Sequence, residues 1–195
     1  MTKDEAQHSR MTFYEAVNKW RSLIMALLDI LTYPDKFLTK TAKPVVNIDG
    51  ALQKTIDAMI ETMYNAPGIG LASIQVGYDK SVIVYDPSHG EDRKSLTVLL
   101  NPKIIETCGE TVSENEGCLS VPDFRSDVKR SASLIIEALD REGKSLKIEA
   151  EEHLAIILQH EIDHLNGILF IDRVSALKRE LYKRHIKKQL KQNEK

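Results

Sequence analysis

The tightest constraint in this chain is His160-Glu161-Ile162-Asp163-His164, an H-E-x-x-H pattern that follows directly on Ala155-Ile156-Ile157-Leu158. An apolar turn of that kind marks a buried helix, and ionisable groups carried into a buried segment need partners. Four residues apart on a helix, the two imidazoles sit about 40° apart around the axis and one turn along it, so both can reach one cation. Glu161, beside the first histidine, is placed to hydrogen-bond a water on that cation without ligating it. A catalytic metal normally takes three protein ligands and leaves a position for water. The rest of the fold must therefore deliver one more ligand to this helix.

In the extended zincin pattern that ligand is a histidine six residues after the second one. Here the position holds Phe170, and Glu180 further on lies in a lysine-rich stretch as a solvated partner for Lys183 or Arg184. The third ligand is thus expected upstream. Cys118 is the best upstream candidate, set in Glu116-Gly117-Cys118-Leu119-Ser120 with Pro122 fixing the exit. By itself a lone cysteine is as readily an inert buried residue as a ligand. That inert reading is assigned to Cys108, which ends the run Ile104-Ile105-Glu106-Thr107, and His89, His153 and His185 have no comparably rigid setting.

Elsewhere the chain alternates helix and strand signals. Leu52, Ile56, Met59, Ile60 and Met63 recur at three- and four-residue spacing over Leu52 to Tyr64, an amphipathic helix closed by Pro67-Gly68. Short runs of strand formers follow at Ser81 to Tyr85, Thr97 to Leu100, Lys103 to Thr107, Leu134 to Leu139 and Leu146 to Ile148, the last two reading as a hairpin. Asn101-Pro102 separates the second from the third. Glu151 to Asn166 is helical with Gly167 as its cap, and a final helix runs from Ser175 towards Gln192. Strands so closely spaced leave no room for crossover helices, which makes the order α+β. Gly68-Ile69-Gly70-Leu71-Ala72-Ser73-Ile74-Gln75 is glycine-rich but lacks the Gly-Lys-Ser/Thr ending of a phosphate loop, and alone reads as a simple turn.

Taken together and in this order, GIGLASIQ, EGCLS and QHEIDHLNG resemble the three signature motifs of peptide deformylases, and the resemblance runs from about Met25 to at least Arg173. One position departs: Ser73 stands where the family usually has a second alanine, and a buried hydroxyl there needs a hydrogen-bond partner. The resemblance implies an α+β fold of short antiparallel strands packed around a central metal-binding H-E-x-x-H helix, with a C-terminal helix. It implies a mononuclear metal hydrolase that takes the N-formyl group off the initiator methionine of nascent peptides and releases formate. Its metal ligands would be Cys118, His160 and His164, holding one divalent ion, natively Fe2+, with Zn2+, Ni2+ or Co2+ as substitutes.

The chemistry implied is that of hydroxide generated on the metal at neutral pH, with Glu161 as general base and then general acid. The oxyanion would be met by the metal, the Gln75 amide and the Leu119 backbone N–H. Ile69 and Gly70 would bind the extended peptide through an apolar side chain and main-chain hydrogen bonds. Ile156 and Ile157 would line a pocket for the methionine side chain, Arg125 would lie near the downstream end of the peptide, and Arg130 would pair with Glu116 or Asp163. Two other readings share features with this one: a metallopeptidase, which would want its third ligand downstream, and a non-catalytic ribosome-binding module with a closed structural metal.

Charge sharpens the domain picture. The formal net charge is −2, from 27 basic and 29 acidic residues. Arg173 to Lys195 carries nine basic residues against two acidic ones, so that segment is +7 and the remainder −9. Val174, Leu177, Leu181 and Leu190 give it a partial apolar stripe, by which one face would dock while the other stays basic. The expected organisation is a catalytic domain over 25–174 and a basic helix over 175–195, which the resemblance implies would dock on the ribosome and which by its residues alone reads equally as a solvated lysine-rich helix. Residues 1–24 form an N-terminal extension, with Met25 a plausible start. Two cysteines fit a reducing compartment, and Leu23 to Leu28 is too short for a membrane span. A cytoplasmic protein is therefore expected, with neither membrane nor DNA as partner.

Overall fold

The computed structural model describes residues 27–88 and 93–193; the expected extension over 1–24 and the candidate start at Met25 lie outside these residues. Strands β1 (Gly70–Ala72), β2 (Val82–Tyr85), β3 (Thr97–Cys108), β6 (Ser133–Leu139) and β7 (Ser145–Glu151) form one five-stranded sheet in the order β1-β2-β3-β6-β7. Every neighbouring pair in it is antiparallel. Strands β4 (Thr111–Cys118) and β5 (Val121–Arg130) form a separate antiparallel ribbon. Helix α1 (Gly50–Asn65) covers one face of the large sheet, α2 (Glu152–Leu165) the other, and α3 (Ala176–Asn193) ends the described chain.

Strand β2 explains the layering. All four of its residues are buried, which a one-sided sheet would not allow. Because strand side chains alternate between faces, Val82 and Val84 pack with Leu52, Ile56, Met59 and Met63 of α1. Ile83 and Tyr85 face the other way, into the core holding Ala155, Leu158 and Ile162 of α2. The α1 spacing read from sequence is thus the packed face, and Asp49 starts that helix by accepting from the backbone N–H groups of Ala51 at 3.0 Å and Leu52 at 2.9 Å. Burial of each such aliphatic side chain contributes roughly 1.5–3 kcal/mol. The C-terminal end of α2 is fixed as tightly, since a Cβ on Gly167, at φ +71°, would lie 2.4 Å from the Thr39 carbonyl oxygen.

Several sequence expectations are corrected. Asn101-Pro102 does not separate two strands: β3 runs through it as 12 residues with a register shift between Leu100 and Lys103. Asn101 takes φ +53°, and its side-chain amide bonds the Val45 N–H at 2.7 Å and carbonyl at 2.9 Å, so the irregularity is a bulge stitched to a neighbouring segment. Cys108 is exposed rather than buried, because it lies beyond Leu100, where the pairing with β2 stops. On α3 the expected docking stripe points outwards: Leu177, Leu181 and Leu190 are exposed. Tyr182 and Ile186 are buried instead, Tyr182 with its ring 4.9 Å from that of Phe124 and 5.8 Å from that of Tyr33. No described helix is long and apolar enough to cross a membrane.

Candidate active site

The ribbon β4–β5, strand β1 and helix α2 meet around a cavity of about 600 Å³. It is lined by Cys118 and Leu119 from the ribbon's turn, by Ile69, Gly70 and Gln75 from the glycine-rich segment, and by Ile156, Ile157, His160 and Glu161 from α2. Arg125 stands at its edge. His164 lies beneath the cavity wall, 1% exposed, with Nε2 3.2 Å from the Cys118 sulfur. The ligand, proton-transfer and peptide-contact candidates from the sequence are therefore gathered in one place.

The donor atoms of Cys118, His160 and His164 all lie within 4.8 Å of one another, the one such group among the described residues. One thiol and two imidazoles are ligands suited to a divalent first-row ion such as iron or zinc. His160 has its other ring nitrogen engaged, with Nδ1 2.8 Å from Glu116 Oε1, the kind of outer hydrogen bond that orients a ligating imidazole. The residues present thus fit a metal.

Charge is heavily partnered here. Arg130, 4% exposed, donates to Glu116 from Nε at 3.1 Å and Nη2 at 2.5 Å, and to Asp163 from Nη1 at 2.6 Å. Asp163 also accepts from Arg173, from Nε at 2.5 Å and again from Nη2. The two alternatives expected for Arg130 are in fact both made. Burial opposes the charged form of Glu116, but the hydrogen bonds from His160 and Arg130 outweigh it and hold the carboxyl at about 2. Burial also opposes a charged His160, yet Cys118 and Glu116 beside it raise its pKa well above the ordinary value. His164 goes the other way, lowered first by burial and then by His160.

Glu161 is different in kind. Burial raises its pKa to about 7, against the opposing pull of His160. Its Oε2 is buried without a hydrogen-bond partner. A Cβ on Gly70 would stand 2.5 Å from its Oε1, so only glycine leaves room for this carboxylate.

Gln75 sits in a short 3-10 turn, Ser73–Val76, that follows β1. Its Oε1 accepts from the Ala72 N–H at 2.8 Å, and its Nε2 lies 3.2 Å from Ser120 Oγ and 3.7 Å from Cys118 Sγ. The buried hydroxyl of Ser73 finds the partner that the sequence demanded, donating to the Lys80 carbonyl. Arg125 folds back over β4, its Nη1 3.3 Å from the Asn115 carbonyl and its guanidinium 3.1 Å from where a Cβ on Gly117 would be. Sequence reasoning passed over Glu116 as the partner of His160, Arg173 as a partner of Asp163, and Ser120. The one signal for Glu116 was its place in the EGCLS motif, two residues before Cys118.

An α+β fold carrying one cysteine and two histidines beside a buried carboxylate defines a class, the metal-dependent hydrolases. Comparison with known proteins narrows this. The polypeptide deformylase family matches over residues 27–180. A peptide deformylase of Desulfosudis oleivorans is 53% identical over 168 residues, covering 86% of this chain and 97% of that one. One from Thermodesulfovibrio yellowstonii is 55% identical over 163 residues, 84% of this chain and 98% of that one. The crystal structure of a peptide deformylase from Legionella pneumophila superposes with TM-score 0.80 at 44% identity, covering 87% of this chain and 99% of that one. One from Synechococcus elongatus in complex with actinonin gives 0.76 at 41%, covering 80% and 85%. The chain belongs to the polypeptide deformylase family, metal-dependent enzymes that remove the formyl group from the N-terminal methionine of nascent polypeptides.

Proposed function

We propose that this chain releases formate from formylmethionyl peptides with Cys118, His160 and His164 holding one divalent cation and Glu161 moving the proton. The observation that carries this division of labour is the convergence of those three donors in one cavity with a buried carboxylate whose Oε2 no protein group satisfies. Bound there, a cation supplies Lewis acidity towards the formyl oxygen and acidifies water. Fe2+ is the proposed native ion, and Zn2+, Ni2+ and Co2+ suit the same thiolate–imidazole set.

The remaining steps belong to the protein. Glu161 takes the proton of the attacking water, and as the C–N bond breaks it gives that proton to the departing amine. Negative charge that gathers on the formyl oxygen meets Gln75 Nε2–H and the Leu119 N–H, and removal of one such donor typically costs about 2.7–4 kcal/mol of barrier. Ile156 and Ile157 line the apolar part of the cavity for the methionine side chain, while Ile69 and, at the sheet edge, Gly70 offer an apolar side chain and main-chain hydrogen bonds to the extended peptide. Arg125 marks the downstream end.

The same reading assigns residues 25–174 to the catalytic domain, 1–24 to an N-terminal extension, and 175–195 to a basic helix that docks on the ribosome, in the cytoplasm. Support for the docking role comes from the outward face of α3, where exposed Leu177 and Leu181 stand among arginines and lysines. Anaerobic purification, metal analysis and formate release from formyl-Met-Ala-Ser test the catalytic reading. Formate release with Fe2+ or Ni2+ bound is expected, and its absence overturns the assignment. Co-sedimentation with ribosomes at low salt, full-length against protein truncated at Ser175, tests docking, and equal binding by both ends that part.

A further inference from the structure

Ser120 lies at the end of EGCLS, fully buried, between the two loops that build the cavity. Its three polar groups are all engaged, two of them with residues of the site. The backbone N–H donates to Cys118 Sγ at 3.3 Å. Its carbonyl accepts from the Tyr33 N–H at 2.8 Å. The hydroxyl oxygen accepts from Gln75 Nε2 at 3.2 Å.

A primary amide has one acceptor oxygen and two donor hydrogens. On Gln75 the oxygen is taken by the Ala72 N–H, and one hydrogen by Ser120. The other hydrogen is donated over 3.7 Å to Cys118 Sγ, a long contact that aims it at the Cys118–His160–His164 cluster. The amide plane is thereby fixed at both ends before substrate arrives. Donors held in advance of reaction are those that lower a barrier, because no reorganisation is needed when charge develops. An untethered glutamine, by contrast, has to be aligned in the transition state.

We propose that Ser120 is a positioning residue for deformylation, acting through Gln75: its hydroxyl holds one amide hydrogen so that the other faces the formyl oxygen. The proposal rests on the reading of Gln75 as an oxyanion donor, and a double-mutant cycle separates the two. Four metal-loaded enzymes are compared with formyl-Met-Ala-Ser: wild type, Gln75→Ala, Ser120→Ala and the double variant.

Gln75→Ala is expected to lose about 100-fold or more in kcat, the usual cost of a missing oxyanion donor. Ser120→Ala is expected to lose on the order of tenfold in kcat with KM within about twofold and metal content unchanged. In the Gln75→Ala background the Ser120 substitution should change kcat by less than about twofold, since the group it acts through is gone. A merely structural role would cost the same factor in both backgrounds, and that result overturns the proposal. So does a Ser120→Ala enzyme with unchanged kcat. If Gln75→Ala itself loses nothing, the oxyanion reading fails and takes this inference with it. Should Ser120→Ala not fold, NMR of the zinc-loaded wild type decides the matter instead. The two Gln75 side-chain amide protons should exchange with solvent at rates differing about tenfold or more, and equal rates would sink the idea.

Discussion

Helices α2 and α3 are close in length, 14 and 18 residues, and both are rich in ionisable side chains, yet they stand in opposite relations to the fold. In α2 eight residues are buried, among them Glu161, Asp163 and His164. In α3 only Tyr182 and Ile186 are buried among the described side chains. Charge on α2 is bound to named partners: Asp163 to Arg130 and Arg173, and His160 to Glu116. Charge on α3 is largely exposed: Glu180 with Lys183 at 3.7 Å is a surface pair, and the links to the body are Lys178 to Ser126 Oγ at 2.9 Å and Arg179 to Asp172 at 3.9 Å. A buried charge is expensive to leave unpaired and an exposed one is nearly free. Chemistry is therefore written into α2 at a cost in surrounding structure, whereas α3 is free to vary its surface.

The largest break in that contrast should come from Glu161→Gln, which leaves the proposed ligands in place. Turnover is expected to fall by roughly 10²–10⁴, the usual range for a general acid–base group, with metal content by elemental analysis unchanged. Near-normal turnover would remove Glu161 from its role. Next comes Arg130→Ala, which leaves buried Glu116 with His160 and buried Asp163 with Arg173 as their remaining charged partners. Urea denaturation should show a loss of about 3–5 kcal/mol. A loss under about 1 kcal/mol would mean that the network is wetter than its burial indicates.

On α3 the effects shrink. Tyr182→Ala removes a ring packed on Phe124 and Tyr33. It should cost about 2–4 kcal/mol by the same measurement, while Leu181→Ala one residue earlier should stay within about 0.5 kcal/mol. Equal losses at the two sites would show that α3 docks by another face. The smallest effect belongs to the Glu180–Lys183 pair, whose coupling in a double-mutant cycle should be no more than about 0.5 kcal/mol and vanish in high salt.

The same contrast explains what could be read from sequence. Helix α2 was legible to within a residue at each end, because an apolar turn, paired histidines and Gly167 all point to one structure. For α3 the existence of a helix was legible and its buried face was not. Aliphatic residues Leu177, Leu181 and Leu190 suggested one stripe, but the docking contact is aromatic and depends on Tyr33, far away in the chain. Strands β4 and β5 gave no signal. Their sequences, TVSENEGC and VPDFRSDVKR, are polar, and Asn115 and Asp123 interrupt them with positive φ. A two-stranded ribbon with most of its surface in water has no apolar alternation to display. Three residues of the candidate site, Glu116, Cys118 and Ser120, lie in that ribbon or its turn, and there a motif conveyed what periodicity could not.

Gly70 carries the last consequence. Its α-carbon faces the Glu161 carboxylate at a distance that any methyl group would invade, and it pairs with Tyr85 at the edge of the sheet. Substitution there must push either the carboxylate or the strand out of place. In a saturation screen for activity Gly70 will therefore behave as though it were indispensable to the reaction, although it holds no ion, bears no charge and offers the peptide only main-chain hydrogen bonds that any residue could make. A loss of function at this position measures room, not chemistry.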